Sequence, residues 1–291
     1  MKAWHSGDKA LLMVRHRTRF DYPGPVVEAH SEVRKTPVDT GLQKVVTHKL
    51  DVSPGANVRS FVDYFGSHVH YFNLLEAHDR LDIRSEAVVE TTDAICCGPH
   101  ADDDVRSWRE RLSEYLAWSP LVPALDAYGE IDHHVRTDLG PEAFLDALKA
   151  LGAEFTARFR YDSDATDVHS SPAVLFEAGG GVCQDLAHAM IGVLRLAAVP
   201  ARYVSGYVYD PTQGEDGDRV QGSAASHAWV QVWHPELGWV GIDPTNDKLV
   251  DWQYVRVAAG RDYSDVQPLR GVFVGSLDQR LDVEVNVTRI G

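Results

Sequence analysis

Only three cysteines occur in this 291-residue chain: Cys96, Cys97 and Cys183. That count gives no disulfide framework and fits a reducing compartment. Positive charge is also scarce, with 28 Lys and Arg against 43 Asp and Glu and a formal net charge of −15. Nucleic acid and anionic membrane surfaces reward a basic face, so neither is an expected partner. Long apolar runs are missing. Leu11 to Val14 is broken at once by Arg15, Arg17 and Arg19, and no other stretch nears the ~20 residues of a membrane span. No signal peptide and no transmembrane helix are read, and the expected location is cytoplasmic. Metal-ligand spacing is missing too. Cys96, Cys97 and His100 lack the spacing of a zinc set. The run Asp162, Asp164, Asp167 has Asp167 and Ala173 where a calcium loop needs Gly and Glu. No metal and no cofactor is expected.

What is present suits a globular protein of two domains, 44% hydrophobic and 24% charged. The first hundred residues alternate with period two. Leu12, Val14, His16, Thr18 and Phe20 form one such face, Val46, His48, Leu50 and Val52 a second, and Leu81, Ile83, Ser85, Ala87 and Val89 a third. Half-buried antiparallel strands give that pattern. Turn signals follow them at 21–24 and 53–55. Residues 1–100 therefore read as a small β-sandwich, 101–140 as a helical linker and 141–291 as a second, catalytic core. Within the core, Pro141 starts a helix that reaches Leu151 and extends toward Phe159. Leu186, Met190, Val193 and Ala197 mark another helix, stopped by Pro200. Strands are expected over about 201–209, 227–233, 238–243 and 281–288, and the fold class is α+β.

One thiol stands out. Residues 179–185, Gly-Gly-Gly-Val-Cys-Gln-Asp, put Cys183 behind a glycine run and at the start of a helix. Free amides and the positive dipole end there favour thiolate over thiol, and the Cys183 amide can donate to an oxyanion. Glycine lets backbone approach a substrate closely, which makes Gly181 a substrate-facing candidate. Downstream, 226–233 supplies His227 and 238–246 supplies Asp243. Thiol, imidazole and carboxylate are the parts of an activated cysteine nucleophile. A loop over 234–238, centred on 236, puts His227 and Asp243 on one face of a hairpin; a four-residue loop puts them on opposite faces. Trp229 shares the face of His227 and is the second substrate-facing candidate. Pro244 also makes Asp243 a candidate turn initiator. His188, five positions past Cys183, points about 140° away on a helix and reads as a packing histidine. Asp185 suits the helix start without a catalytic role.

These motifs, with Val-Pro-Ala-Arg-Tyr-Val-Ser-Gly-Tyr at 199–207 between them, resemble the transglutaminase-like superfamily over about 141–250. Residues 11–92, with the His-Arg-Thr-Arg-Phe-Asp-Tyr start and Asp63 to Gly66, are similar to the β-sandwich preceding this core in a bacterial branch. The resemblance implies a papain-like core, a nucleophile helix packed on an antiparallel sheet. It implies Cys183 as nucleophile, His227 as acid and base, and Asp243 as orienter. Several animal transglutaminases carry Trp where this chain has Gln184, a departure that points away from protein cross-linking. The expected partner is a peptide or amide substrate, cleaved through an acyl-enzyme. The alternatives are transamidation to an amine, or a non-catalytic peptide-binding module.

Overall fold

The computed structural model describes residues 5–94, 108–162, 171–212, 226–275 and 278–291. The expectations placed on Cys96, Cys97, His100, Asp164 and Asp167 lie outside them. Six strands come first: β1 (His5–Val26), β2 (Glu28–Val33), β3 (Gln43–Ser53), β4 (Arg59–Val62), β5 (His68–Leu74) and β6 (His78–Ala94). A helical turn α1 (Trp108–Arg111) leads to α2 (Pro141–Arg158), β7 (Arg160–Tyr161), α3 (Pro172–Ala178), β8 (Gly180–Gly181) and α4 (Cys183–Leu196). Then follow β9 (Ala201–Val208), β10 (His227–His234), β11 (Gly238–Asp243), β12 (Lys248–Leu249), β13 (Tyr254–Gly260), a turn α5 (Tyr263–Val266), β14 (Leu269–Val274) and β15 (Arg280–Arg289). Among the described residues no helix is long and apolar enough to cross a membrane.

The sandwich has two four-stranded sheets, ordered β15-β1-β6-β3 and β14-β2-β5-β4. Tyr22, Val33, Phe72, Leu81 and Ile83 fill the space between them. Two details differ from the expected pattern. β1 continues through the Pro23-Gly24 signal to Val26, with a register irregularity after Asp21. Pairing with β15 ends at Asp21, so Pro23 removes no ladder bond on that side. In β3 a bulge lies between Val45 and Thr47 and leaves Val46 exposed instead of inward.

The domain boundary needs a larger correction. Residues 141–291 were expected to form one core, but β14 pairs with β2 and β15 with β1. The end of the chain returns to complete both sheets of the sandwich. Alternation in 281–288 identifies a strand and says nothing about its partner. Of the stretch expected as a helical linker, the described residues 108–140 hold one turn of α-helix and 3₁₀ turns at Ser113–Tyr115 and Asp126–Glu130.

The core is a five-stranded antiparallel sheet, β12-β11-β10-β9-β13, with α4 against β9 and β10. Every residue of α4 from Gln184 to Arg195 is buried, which explains the unbroken small and apolar run from Ala189 to Leu194. Ala228, Val230, Val232 and Ile242 share a cluster with Met190 and Leu194 of that helix. The opposite face of the sheet carries Val204, Trp229, Val250 and Tyr254 in a cluster of their own. This is the α+β arrangement expected from the sequence, in the papain-like form that the resemblance implied.

Sandwich and core are fused. Leu12, Val14, Val89 and Val287 of the sandwich belong to the same buried cluster as Met190 and Val255. The Gln43 amide donates to Val38 O at 2.7 Å and Arg256 O at 2.8 Å and accepts from Arg256 N at 2.8 Å, like one rung of a strand. Thr91 Oγ1 donates to Trp252 O at 2.7 Å.

Candidate active site

The glycine run acts first on the chain itself. Gly179 ends α3 with φ of 67° and donates to Leu175 O, a left-handed cap that glycine adopts without strain. Gly181 is buried, and a Cβ there would meet Asp185 Oδ2 at 2.8 Å. The close approach at Gly181 is therefore made by Asp185, whose Oδ2 also accepts from Val182 N at 2.9 Å. That bond caps α4 at its start. Cys183 is the first residue of the helix and half-buried. Its amide lies outside the i→i−4 ladder and is available to a ligand.

The hairpin register decides the rest. Val230 pairs with Ile242, Val232 with Val240 and His234 with Gly238, a ladder centred on residue 236. His227 and Asp243 accordingly share a face. His227 Nε2 donates to Asp243 Oδ2 at 2.7 Å, and both side chains are fully buried. Asp243 holds more than the ring. Oδ2 also accepts from Tyr254 OH at 2.8 Å and Asn246 Nδ2 at 2.7 Å. Oδ1 accepts from Thr245 N at 2.9 Å and Asn246 N at 3.4 Å. Oδ1 thus takes the backbone amides of the turn, while Oδ2 faces the ring together with Tyr254 OH and the Asn246 amide.

Electrostatics follow from that geometry. Burial opposes charge on His227, but Asp243 and the Cys183 thiol beside the ring outweigh it and raise the imidazole to about 10. Burial likewise works against the Asp243 carboxylate, and the imidazolium with its hydrogen-bond donors holds it below its ordinary value. Nε2 is committed to Asp243, so Nδ1 is the nitrogen left for Cys183; it has no other hydrogen-bond partner among the described residues.

The two substrate-facing candidates lie elsewhere than expected. Trp229 is 1% exposed and stacks on the His227 ring at 6.3 Å and against Tyr254 at 5.3 Å. It backs the imidazole with almost no exposed surface of its own, at the floor of a cavity of about 550 Å³ that opens on that face of the sheet beside Gln231, Trp233 and Tyr254. Gly181 is packed against Asp185, and its carbonyl accepts from Asp162 N. Tyr161 is the aromatic that is both exposed, at 39%, and close enough to Cys183 for a thiolate to raise its pKa, after burial. It sits on β7, paired in parallel with Gly180 and Gly181. Nothing in the sequence around Tyr161 signals this. Asn246 closes the motif that carries Asp243, and Tyr254 comes from a strand with no local signal. His188 is buried and accepts from Tyr263 N at 3.1 Å, a packing role as expected.

Comparison with known proteins places this geometry. Residues 12–90 match the bacterial transglutaminase-like N-terminal region, and residues 133–244 match the transglutaminase-like superfamily. An uncharacterized protein of Mycobacterium leprae is 32% identical over 282 residues, covering 96% of this chain and 99% of that protein. A protein-glutamine gamma-glutamyltransferase of Pseudomonas aeruginosa is 35% identical over 104 residues, 33% of this chain and 16% of that protein. The crystal structure of a candidate cysteine protease from Cytophaga hutchinsonii superposes with a TM-score of 0.73 at 18% identity, covering 98% of this chain and 92% of that one; at that identity it speaks for the fold.

Proposed function

Because the chain belongs to the transglutaminase-like superfamily, we propose that it cleaves an amide or peptide bond through a thioester on Cys183. The observation that carries this reading is the fully buried His227–Asp243 pair at 2.7 Å, with the Cys183 thiol beside the same ring at a helix start. The Cys183 thiolate attacks the amide carbonyl carbon, and the carbonyl oxygen takes up the negative charge near the Cys183 amide. The C–N bond breaks as His227 Nδ1–H gives its proton to the leaving amine. Water then adds to the thioester, with His227 taking its proton, and releases the acid and the thiolate. Asp243 holds the ring in one orientation throughout and stabilises its charged form. Tyr161 stands where the substrate chain passes Cys183.

Hydrolysis is preferred because water needs no dedicated second site. Transamidation shares the first half-reaction, and the similarity to a gamma-glutamyltransferase favours it as the second reading. A thiol-directed amide probe tests the shared step: labelling of Cys183 in the native chain, lost in His227→Ala, is expected. An unlabelled Cys183 would turn the reading toward a binding module. Product analysis with and without an added primary amine separates the two outcomes, free acid alone for hydrolysis and a substituted amide for transfer.

A further inference from the structure

A cavity of about 350 Å³ opens between the edge strands of the two sandwich sheets and is bordered on the core side by Tyr263 and by Ser226, the residue before His227. Its mouth is apolar and open to solvent: Val272 is 71% exposed, Leu281 54% and Val283 42%. Its deepest polar lining is His16, Thr18, Ser31 and Lys35, all buried. Lys35 is 1% exposed, donates to Thr18 Oγ1, and forms no ion pair among the described residues. Among the described residues no acidic side chain is part of the lining.

An ammonium in such a place is costly unless an anion joins it. The neighbours cannot supply one. His16 Nδ1 lies 2.8 Å from Tyr207 OH and Nε2 lies 3.2 Å from Thr18 Oγ1, so both ring nitrogens are engaged, and burial keeps the ring neutral. Burial, with no carboxylate to offset it, brings Lys35 down to about 7, so an arriving anion meets a group that readily takes up charge. The ordering of the lining, apolar outside and cationic inside, fixes how a ligand lies: charged head down, aliphatic tail toward the mouth.

We propose that this cleft binds a free monocarboxylate with an unbranched aliphatic chain, its carboxylate on Lys35 and its tail between Val272, Leu281 and Val283. The volume sits near the low end for small-molecule sites and suits a chain of roughly ten carbons. Acyl esters lack the free carboxylate and fit the mouth only. The proposal does not rest on the Cys183 chemistry.

Titration calorimetry tests this on the full chain and on Cys183→Ala, with decanoate, methyl decanoate and decan-1-ol, all below micelle concentrations. The expected result is decanoate binding about tenfold or more tighter than either neutral ligand, equally in both proteins. Lys35→Met should bring decanoate down to the level of the alcohol and leave the alcohol unchanged. Leu281→Trp, a change at an exposed position that closes the mouth without touching the buried lining, should weaken all three ligands, and it keeps the test alive if Lys35→Met does not fold. No binding, equal affinity for acid and alcohol, or decanoate binding indifferent to Leu281→Trp would each overturn the proposal and leave a hydrated cavity only. Loss of amide-probe labelling at Cys183 would bear on the catalytic reading and not on this one.

Discussion

Asp243 accepts from five donors on two oxygens, and only one of the five is the His227 ring. That division predicts different outcomes for different substitutions. Asp243→Asn keeps the volume but removes the charge that outweighs burial, so the imidazole should fall back from its raised value. In a pH profile of turnover, the alkaline limb should move to lower pH in Asp243→Asn; an unmoved limb would mean that Asp243 does not set the ring's charge. Stability carries the same signature. The His227 contribution is fully present below an unfolded imidazole value of about 6.5 and is lost as pH rises toward about 10. The Asp243 contribution has the opposite sense: it is present above about 3.9 and lost as pH falls through its lowered value. Urea midpoints at pH 6, 8 and 10 should decline in the native chain and lose that part of the decline in His227→Phe. Reactivity is the other residue-scale test. At pH 6 an ordinary thiol, with pKa of about 8.5, is nearly all protonated and slow to alkylate. Cys183, at a helix start and beside an imidazolium, should react with iodoacetamide faster than Cys96 or Cys97, as read by peptide mapping. His227→Ala should abolish most of the difference, and equal labelling of all three would falsify the activated-nucleophile reading.

At the scale of elements, local period was the readable quantity and partner choice was not. The hairpin of β10 and β11 was legible because strand parity, together with one loop length, settles which side chains share a face; the ladder centred on 236 is the one that keeps His227 beside Asp243. The helix carrying Cys183 was legible from Leu186, Met190 and Val193. Tyr161 and Tyr254 were not, because each reaches the site from a separate strand through tertiary contact alone. Arg195 illustrates the same limit. It closes the last turn of α4, is 4% exposed, and donates to Tyr115 O at 3.1 Å, Ser119 Oγ at 3.2 Å, Ala201 O at 3.1 Å and Arg261 O at 2.7 Å. Burial lowers it to about 10, which still leaves it charged at neutral pH. It ties the irregular 112–122 segment and the end of β13 to the nucleophile helix. Arg195→Met fills much of the space but strands several buried acceptors, each worth about 1–3 kcal/mol, so a loss on the order of 3–5 kcal/mol is expected by urea denaturation. A loss below about 1 kcal/mol would show that water replaces the guanidinium there.

For the whole molecule, the question is whether sandwich and core unfold as one. The sequence suggested two domains, since each half supplies its own alternating or helical pattern. The fold joins them in two ways that no local pattern announces. β1 is 22 residues long and serves both: its Leu12 and Val14 lie in the cluster of the transglutaminase-like core, while Tyr22 lies in that of the sandwich. The last strand lies beside it, Val287 opposite Val14, and the chain end is held by Leu11 N to Gly291 O at 2.9 Å and Ile290 N to Leu11 O at 2.8 Å. Val287 is fully buried in the cluster that contains the nucleophile helix. A single cooperative transition follows, because opening the sandwich exposes apolar surface of the core. With Trp4, which lies outside the described residues, replaced by Phe, the tryptophans give a selective probe: the other six, at 108, 118, 229, 233, 239 and 252, all fall outside the sandwich strands, whereas far-ultraviolet circular dichroism reads the strands of both parts. Urea transitions followed by the two signals should coincide. Val287→Ala removes two buried methyl groups and should cost roughly 1–3 kcal/mol, moving both midpoints together. Leu281→Ala, on the same strand but 54% exposed, should move neither by much. If Val287→Ala shifts the dichroism and leaves the tryptophan transition in place, the sandwich melts alone, and the buried cluster does not couple the C-terminal strand to the helix that carries Cys183.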